Sequence, residues 1–263
     1  MTRTTAGRSL LTLLALALAL GCTPPREEAG TEGAEPLRAV QRATAKAGSA
    51  RIESTTVVGR ELSLDATGTL GWRDGLTGTL TLTYTGGTTA ETLKKLGTTS
   101  MEARYLPDAY YARMGDAFAG QVGGRHWIRY AYDDLADLGG DAGAGLAEQL
   151  RGSSPDQAVK LLLASDDVRE VGTETTRGRR TTHWSGTVDG TADGQTVDIW
   201  VDEHDLLVKK TERGRTATGE LSQTAYYTDY GTPAPAERPP AADTADFGEL
   251  LAKNAQEGSN LLG

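Results

Sequence analysis

Apolar and polar residues alternate along much of this chain, and a period of two is typical of a β-strand with one buried face. The clearest alternation covers residues 62–72 and, after the turn Arg73-Asp74-Gly75, residues 78–84. These two stretches predict an antiparallel hairpin. The same pattern predicts further strands over residues 51–58, 101–105, 110–114, 126–132, 168–176, 179–188, 197–203, 206–213 and 220–230.

Shorter segments carry a helical period instead. Leu37 and Val40 fall on one helical face, which predicts an amphipathic helix over residues 36–47. Ser154 is predicted to cap a second helix over residues 155–164. The remaining segments are predicted to be a polar helical turn or loop over 88–97, a surface loop over 133–151, a proline-rich extended arm over 233–243 and a closing helix over 246–252.

The beginning of the chain has the features of an export signal. Arg3 and Arg8 precede an apolar run over residues 10–20, which is about half the roughly twenty residues that a membrane span requires. Cys22 follows Gly21 and is the only cysteine. This arrangement resembles the lipobox of bacterial lipoproteins, in which the cysteine forms a thioether to diacylglycerol and becomes the first residue after cleavage.

Two positions depart from the usual lipobox. Ala19 and Leu20 occupy the places where a leucine and a small residue are the rule. The alternative is an ordinary secretory signal that leaves Cys22 as a free thiol, which is a liability in an oxidising compartment. We therefore predict lipidation of Cys22 and a lipid-anchored location on the extracytoplasmic face of the cell membrane.

Composition divides the chain into four predicted parts. These are a lipoprotein signal peptide over 1–21, a flexible tether over 22–35, a single β-rich domain over 36–252 and a disordered tail over 253–263. Because Cys22 has no partner cysteine, disulfides within the chain, thiol redox chemistry and cysteine-based zinc sites are excluded. A domain of this length must instead be stabilised by a hydrophobic core.

The charge of the chain bears on its partners. The formal net charge is −9, and removal of residues 1–21, which carry Arg3 and Arg8 and no acidic residue, makes it more negative by two. Nucleic acids and anionic membrane surfaces both favour a basic face, so neither is an expected partner. The membrane contact is predicted to pass through the lipid on Cys22, and the protein is expected to be a monomer with no identified protein partner.

No group of residues has the spacing of a catalytic, metal or cofactor site. His126, His183 and His204 are far apart in the sequence, and the acidic surroundings of His204 indicate a charged turn. Ser185 lies in a predicted strand and lacks the strand-to-helix elbow of a serine nucleophile. The glycine-rich residues 139–145 lack the Gly-Lys-Ser/Thr ending of a phosphate loop. We predict no enzymatic activity, no metal and no cofactor.

Aromatic residues are concentrated in one part of the chain. Seven of the fifteen lie within residues 105–132. Strands commonly contain aromatic residues, which is the simpler explanation. The alternative is an aromatic platform or cavity mouth for a ligand.

The segments 172–189, 197–203 and 229–233 resemble the LppX/LprG-type lipoproteins of actinobacteria, which belong to the LolA-like superfamily together with the LolA and LolB carriers. The order of lipobox, tether, helix, strands, helix and strand meander over residues 36–245 is similar as well. The resemblance implies an α+β fold: a strongly curved antiparallel β-sheet, or half-barrel, with helices across its concave face. It transfers no catalytic residue.

The resemblance also implies an apolar cavity that takes acyl chains. Our candidate lining residues are Leu62, Leu64, Leu70, Trp72, Leu80, Leu82, Tyr84, Tyr105, Trp127, Val197, Ile199 and Val201. The expected function is to bind an acylated lipid or lipoprotein and carry it in the cell envelope. The alternatives are that the same residues fill a closed core, and that the protein is a non-carrying surface lipoprotein acting as a sensor or protein-interaction module.

Overall fold

A computed structural model describes residues 34–95, 97–138, 154–188, 194–216 and 218–260. Cys22, the predicted signal peptide and almost all of the predicted tether lie outside the described residues, as does most of the predicted loop over 133–151. Six α-helices are described: α1 (Ala34–Ala47), α2 (Gly87–Lys95), α3 (Asp116–Ala119), α4 (Tyr132–Leu138), α5 (Pro155–Leu163) and α6 (Phe247–Asn260). Among the described residues, no helix has both the length and the hydrophobicity that crossing a membrane requires.

The described residues also form twelve strands in a single sheet. They are β1 (Ser49–Val58), β2 (Leu62–Gly71), β3 (Thr77–Gly86), β4 (Ser100–Tyr105), β5 (Ala109–Arg113), β6 (Trp127–Ala131), β7 (Arg169–Thr176), β8 (Arg179–Val188), β9 (Gln195–Asp202), β10 (Leu207–Thr216), β11 (Gly219–Thr228) and β12 (Thr244–Asp246). Each predicted strand is present, and the 62–72 and 78–84 stretches form the predicted hairpin β2–β3.

The strand order is β12-β6-β5-β4-β3-β2-β1-β11-β10-β9-β8-β7. Two meanders, β1 to β6 and β7 to β11, are therefore joined side by side where β1 pairs with β11. Neighbouring strands are antiparallel except at the β12 end, where β12 pairs with β6 in parallel. The sheet is not closed, since β12 and β7 are its two outer strands.

One face of the sheet packs against α1 and α5. Leu37 and Val40 of α1 and Val159 and Leu162 of α5 share a core with side chains from β1 to β5 and from β8 to β11. Strands on both sides of the sheet centre reach the same pair of helices, so the sheet curves around them and this inner face is concave. The predicted α+β fold, a curved antiparallel sheet with helices across its concave face, is confirmed.

The proline-rich arm crosses the outer face of the sheet. Near its beginning, the Ser49 hydroxyl donates a hydrogen bond to the Thr232 carbonyl at 2.6 Å. Farther on, Arg104 Nη1 donates to the Glu237 carbonyl at 2.9 Å, and Arg238 pairs with Asp108 at 2.8 Å. The arm thereby spans from β1 to β5 and delivers β12 to the edge of β6.

His126 fastens the far end of this arm. Its backbone N–H donates to Asp243 Oδ1 at 2.9 Å, and its Nδ1 lies 2.7 Å from the same carboxylate oxygen. Both hydrogen bonds to His126 lower the pKa of Asp243. His126, which we weighed as a possible metal ligand, therefore has a positioning role at the edge of the sheet.

Four local expectations differ from the structure. The first described residues of the predicted loop over 133–151 belong to the helix α4, whose Leu135 is buried. Ser154 stands at the N-cap position of α5, but its side chain makes no capping hydrogen bond. The closing helix α6 runs through Asn260, beyond the predicted 246–252 and into the predicted tail. Residues 253–257 include no glycine or proline, and the single glycine that follows, Gly258, does not end the helix. The strand β12 was not predicted, because its pairing depends on the arm that brings it to β6.

Candidate functional site

The inner face of the sheet brings most of the predicted cavity residues together. Seven of them are buried in the main core: Leu70, Leu80, Leu82, Tyr105, Val197, Ile199 and Val201. Leu64, Trp72 and Tyr84 are half-buried and pack against that core. Leu62 lies on the same side of β2, since it is two residues from Leu64, and it is half-buried as well.

Trp127 does not belong to this set. It lies in a second, smaller cluster with Leu106, Ala109 and Tyr111. The Arg104 guanidinium stacks over its indole at 4.5 Å, beneath the arm on the outer face. Side chains alternate between faces along β6, so Trp127 points outward while Tyr130 packs against the inner core. The structure thus separates Trp127 from the other candidate residues.

Helix α1 covers one end of the inner face, where β1 begins. On β1, inward-facing Ala50 and Ile52 are buried. Trp72 donates its indole N–H to the Thr44 carbonyl of α1 at 3.1 Å, which fixes the helix over this end of the sheet. On the β8–β9 side the cover extends farther along the strands, because Leu162 of α5 reaches within 2.9 Å of where a Cβ would stand on Gly186 of β8, which pairs with buried Val197. Glycine at that position admits the helix against the sheet.

On β1, β2 and β11, burial decreases along the same face, whereas Val197 of β9 and Val188 of β8 stay buried. On β1 the next inward positions, Ser54 and Thr56, are only half-buried. On β2 the change occurs between Ala66 and Leu64, and on β11 it occurs between Ala225 and Gln223. We call this region the accessible inner face and define it by Ser54, Thr56, Leu62, Leu64, Tyr84 and Gln223. It is the candidate functional site.

Aromatic rings border the accessible inner face on its β6 side. Tyr110 lies between Tyr105 and Tyr130, with ring centroids 5.1 and 5.7 Å away. Tyr130 in turn contacts Phe247, at the start of α6, at 4.7 Å. The Tyr84 hydroxyl lies 3.9 Å from the sulfur of Met101.

The phenols of Tyr84, Tyr110 and Tyr130 remain protonated at physiological pH. Burial raises the pKa of Tyr130 to about 12 and also raises the pKa values of Tyr84 and Tyr110. A group of neutral phenols offers hydrogen-bond donors without the cost of placing a charge in an apolar site. The aromatic stretch 105–132 is therefore divided between the faces: Tyr105, Tyr110 and Tyr130 line the inner one, whereas Tyr111 and Trp127 lie on the outer one.

An ion pair on the inner face was not predicted. Lys210 and Glu212 of β10 lie opposite Ile199 and Val197, whose side chains are in the core. The Lys210 Nζ is 2.6 Å from Glu212 Oε1, and the two side chains are 14% and 16% exposed. A β-bulge between Leu207 and Lys209 shifts the alternation, so that Leu207 and Lys210 both point inward. The simple period of two would have placed Leu207 and Lys210 on opposite faces.

His183 belongs to a polar network on the outer face. Its Nε2 lies 2.9 Å from Asp198 Oδ1, and its ring stacks on Trp200 at 4.3 Å. Asp198 also accepts hydrogen bonds from Thr211 and Arg213. Burial raises the pKa of Asp198, but the hydrogen bonds from His183, Ser185 and Thr211 outweigh that effect and lower it. Ser185 therefore donates its hydrogen bond to Asp198 and not to His183.

The acidic turn after β9 has a structural explanation. Asp202 Oδ1 accepts the backbone N–H groups of His204 and Leu206 at 3.0 and 3.1 Å. His204 thus lies in a turn held by Asp202, as its sequence context predicted. Within the described residues, no cluster of three or more His, Cys, Asp or Glu side chains has the geometry to bind a metal ion.

Comparison with known proteins identifies two relatives from Streptomyces. The chain is 75% identical over 219 residues to the "Putative lipoprotein SCO4650" of Streptomyces coelicolor, covering 83% of this chain and 76% of the relative. It is 49% identical to the "Uncharacterized 31.2 kDa protein in rplA-rplJ intergenic region" of Streptomyces griseus, covering 82% and 79%. No protein-family profile matches the chain.

Similar solved structures include two mycobacterial proteins. LprF from Mycobacterium bovis has a TM-score of 0.48 and 14% identity, covering 79% of this chain and 97% of that one. The lipoprotein LppX from Mycobacterium tuberculosis has a TM-score of 0.47 and 15% identity, covering 77% and 96%.

Proposed function

The chain belongs to the family of the Streptomyces coelicolor lipoprotein, and from this premise we propose that it is a membrane-anchored extracytoplasmic lipoprotein that binds and carries an acyl-chain lipid. Cys22 would hold the lipid anchor. The accessible inner face would hold the carried lipid, with its acyl chains against Leu62, Leu64 and the neighbouring core.

The observation that carries the proposal is the decrease in burial along the inner face of β1, β2 and β11. Leu64 and Tyr84 pack against the main core yet remain partly exposed. A fully closed core would bury both side chains. A small-molecule site of this type is concave and mostly apolar, with a few polar groups that orient the ligand. Burial of each lipid methylene contributes about 0.8 kcal/mol, so one acyl chain provides enough free energy for tight binding.

We expect Cys22→Ser to release the protein from the membrane. Serine cannot form the thioether to diacylglycerol, and a chain with a net charge of −9 is not attracted to an anionic surface. Cell fractionation followed by immunoblotting measures the shift from the membrane to the soluble fraction. Retention of the variant in the membrane fraction would mean that lipidation is not the anchor.

We expect the Cys22→Ser protein, purified without detergent, to carry lipid. Native mass spectrometry should give a species heavier than the polypeptide, and lipid extraction should recover the added mass. Absence of added mass, together with no binding of hydrophobic fluorescent probes, would reject the carrier function in favour of a closed core or an interaction module.

A further inference from the structure

The Lys210–Glu212 pair is unusual for its location. Lys210 lies between Ile199 of β9 and Ala225 of β11, which are both apolar. Glu212 lies between the apolar Val197 of β9 and the polar Gln223 of β11. Removing two charges from water usually costs as much as their mutual attraction returns, so an apolar pair would serve the core at least as well. The stability of the sheet alone therefore does not account for this pair.

The hydrogen-bonding capacity of the pair is only partly used. Glu212 accepts from Lys210 through Oε1 and from the Gln195 side-chain amide through Oε2, at 2.6 and 3.1 Å. Both carboxylate oxygens are thus engaged. The Lys210 ammonium has three N–H donors, and Glu212 is its one hydrogen-bond partner among the described residues. Two N–H donors remain for an acceptor that is not part of the described chain.

The ammonium stays charged in this environment. Burial lowers the pKa of Lys210, but interactions with Tyr227 and with the Glu212 carboxylate, which also accepts a hydrogen bond, outweigh that effect and raise it. Gln223, which belongs to the accessible inner face, lies directly opposite Glu212 on the neighbouring strand β11. The two N–H donors of Lys210 that have no partner among the described residues are therefore adjacent to the proposed lipid site.

We propose that the Lys210–Glu212 pair is the polar recognition site of the inner face, and that it binds an uncharged oxygen acceptor of the ligand such as an ester carbonyl. This inference rests on the proposed lipid-binding function. The adjacent Glu212 carboxylate already balances the lysine charge and repels an incoming anion. A free carboxylate would in addition lose its hydration on entering an apolar site, whereas an ester carbonyl loses little.

Three probes of matched chain length test the proposal: methyl dodecanoate, tridecane and dodecanoate. Each is titrated against diphenylhexatriene bound to the Cys22→Ser protein, well above the pKa of the free acid. Methyl dodecanoate should displace the reporter at about tenfold lower concentration than tridecane, the factor expected for one hydrogen bond to a charged group. It should also displace the reporter more effectively than dodecanoate.

The decisive variant is Lys210→Met with Glu212→Met, which removes both charges and leaves no unpaired ion. This double variant should keep its thermal transition and should bind methyl dodecanoate and tridecane equally well. The matched control is Lys209→Met. Lys209 points to the outer face, where its ammonium lies 3.7 Å from the Trp200 ring, so this control should keep the ester preference.

Two results would overturn the inference while leaving lipid binding intact. One is an ester preference that persists in the double variant, and the other is stronger displacement by dodecanoate than by the ester. Failure of the reporter and of tridecane to bind any of the proteins would instead overturn the proposed function and this inference together.

Discussion

Replacing Thr56 by tryptophan should reduce the lipid bound to the Cys22→Ser protein at least tenfold. Thr56 points into the middle of the accessible inner face, opposite Leu64 on β2 and Gln223 on β11. An indole at this position would occupy the space proposed for an acyl chain, and close-packed interiors do not accommodate both. Each methylene of the chain that is kept in water forfeits about 0.8 kcal/mol of binding free energy.

The fold should tolerate this change. Thr56 is half-buried and accepts one hydrogen bond from Gln223 Nε2, at 3.0 Å. Losing that bond costs about 1 kcal/mol. Native mass spectrometry measures the bound lipid, and a urea titration measures the free energy of unfolding.

Thr67→Trp is the matched control for Thr56→Trp. Thr67 is exposed on the opposite face of the same sheet, where it pairs with Glu53 and Thr81. The same substitution should leave the bound lipid unchanged there. Equal lipid content in the two variants would place the lipid elsewhere than on the accessible inner face.

The alternation of residues predicted the strands well because one face of almost every strand is buried in a common core. Leu70, Leu80, Val197 and Ile199 lie on the inner face for this reason, although β2–β3 and β9 are far apart in the sequence. The spacing of Leu37 and Val40 predicted α1 equally directly, since both side chains are almost fully buried against the sheet.

Other features depend on contacts that no local pattern records. A period of two places neighbouring residues on opposite faces but does not say which face is the inner one, which is why Trp127 was assigned to the cavity. The bulge at Leu207–Lys209 reverses the alternation within β10 and brings Lys210 to the inner face. The strand β12 has only three residues, and its parallel pairing is set by an arm that crosses the sheet.

Replacing Gly78 by alanine should destabilise the fold by about 4 kcal/mol or more. Gly78 of β3 has φ +135°, and a Cβ on it would stand 2.1 Å from the Thr69 carbonyl oxygen of β2. The clash is with backbone, so no side-chain rotation relieves it. Gly68 on β2 approaches the Thr79 carbonyl in the same way, also at 2.1 Å. Glycines that allow such close approach mark places where a strand pair bends, so alanine would oppose the curvature that forms the concave face.

Gly172→Ala separates the two contributions to this effect. Gly172 of β7 has φ +147°, similar to that of Gly78, but a Cβ there would meet nothing within 4 Å. Gly172→Ala should therefore lower the free energy of unfolding only through backbone strain, by about 1–3 kcal/mol. Urea unfolding of both variants gives the two free energies. Equal losses would show that backbone strain alone explains the glycine at position 78, and that close strand approach is not what curves the sheet around its helices.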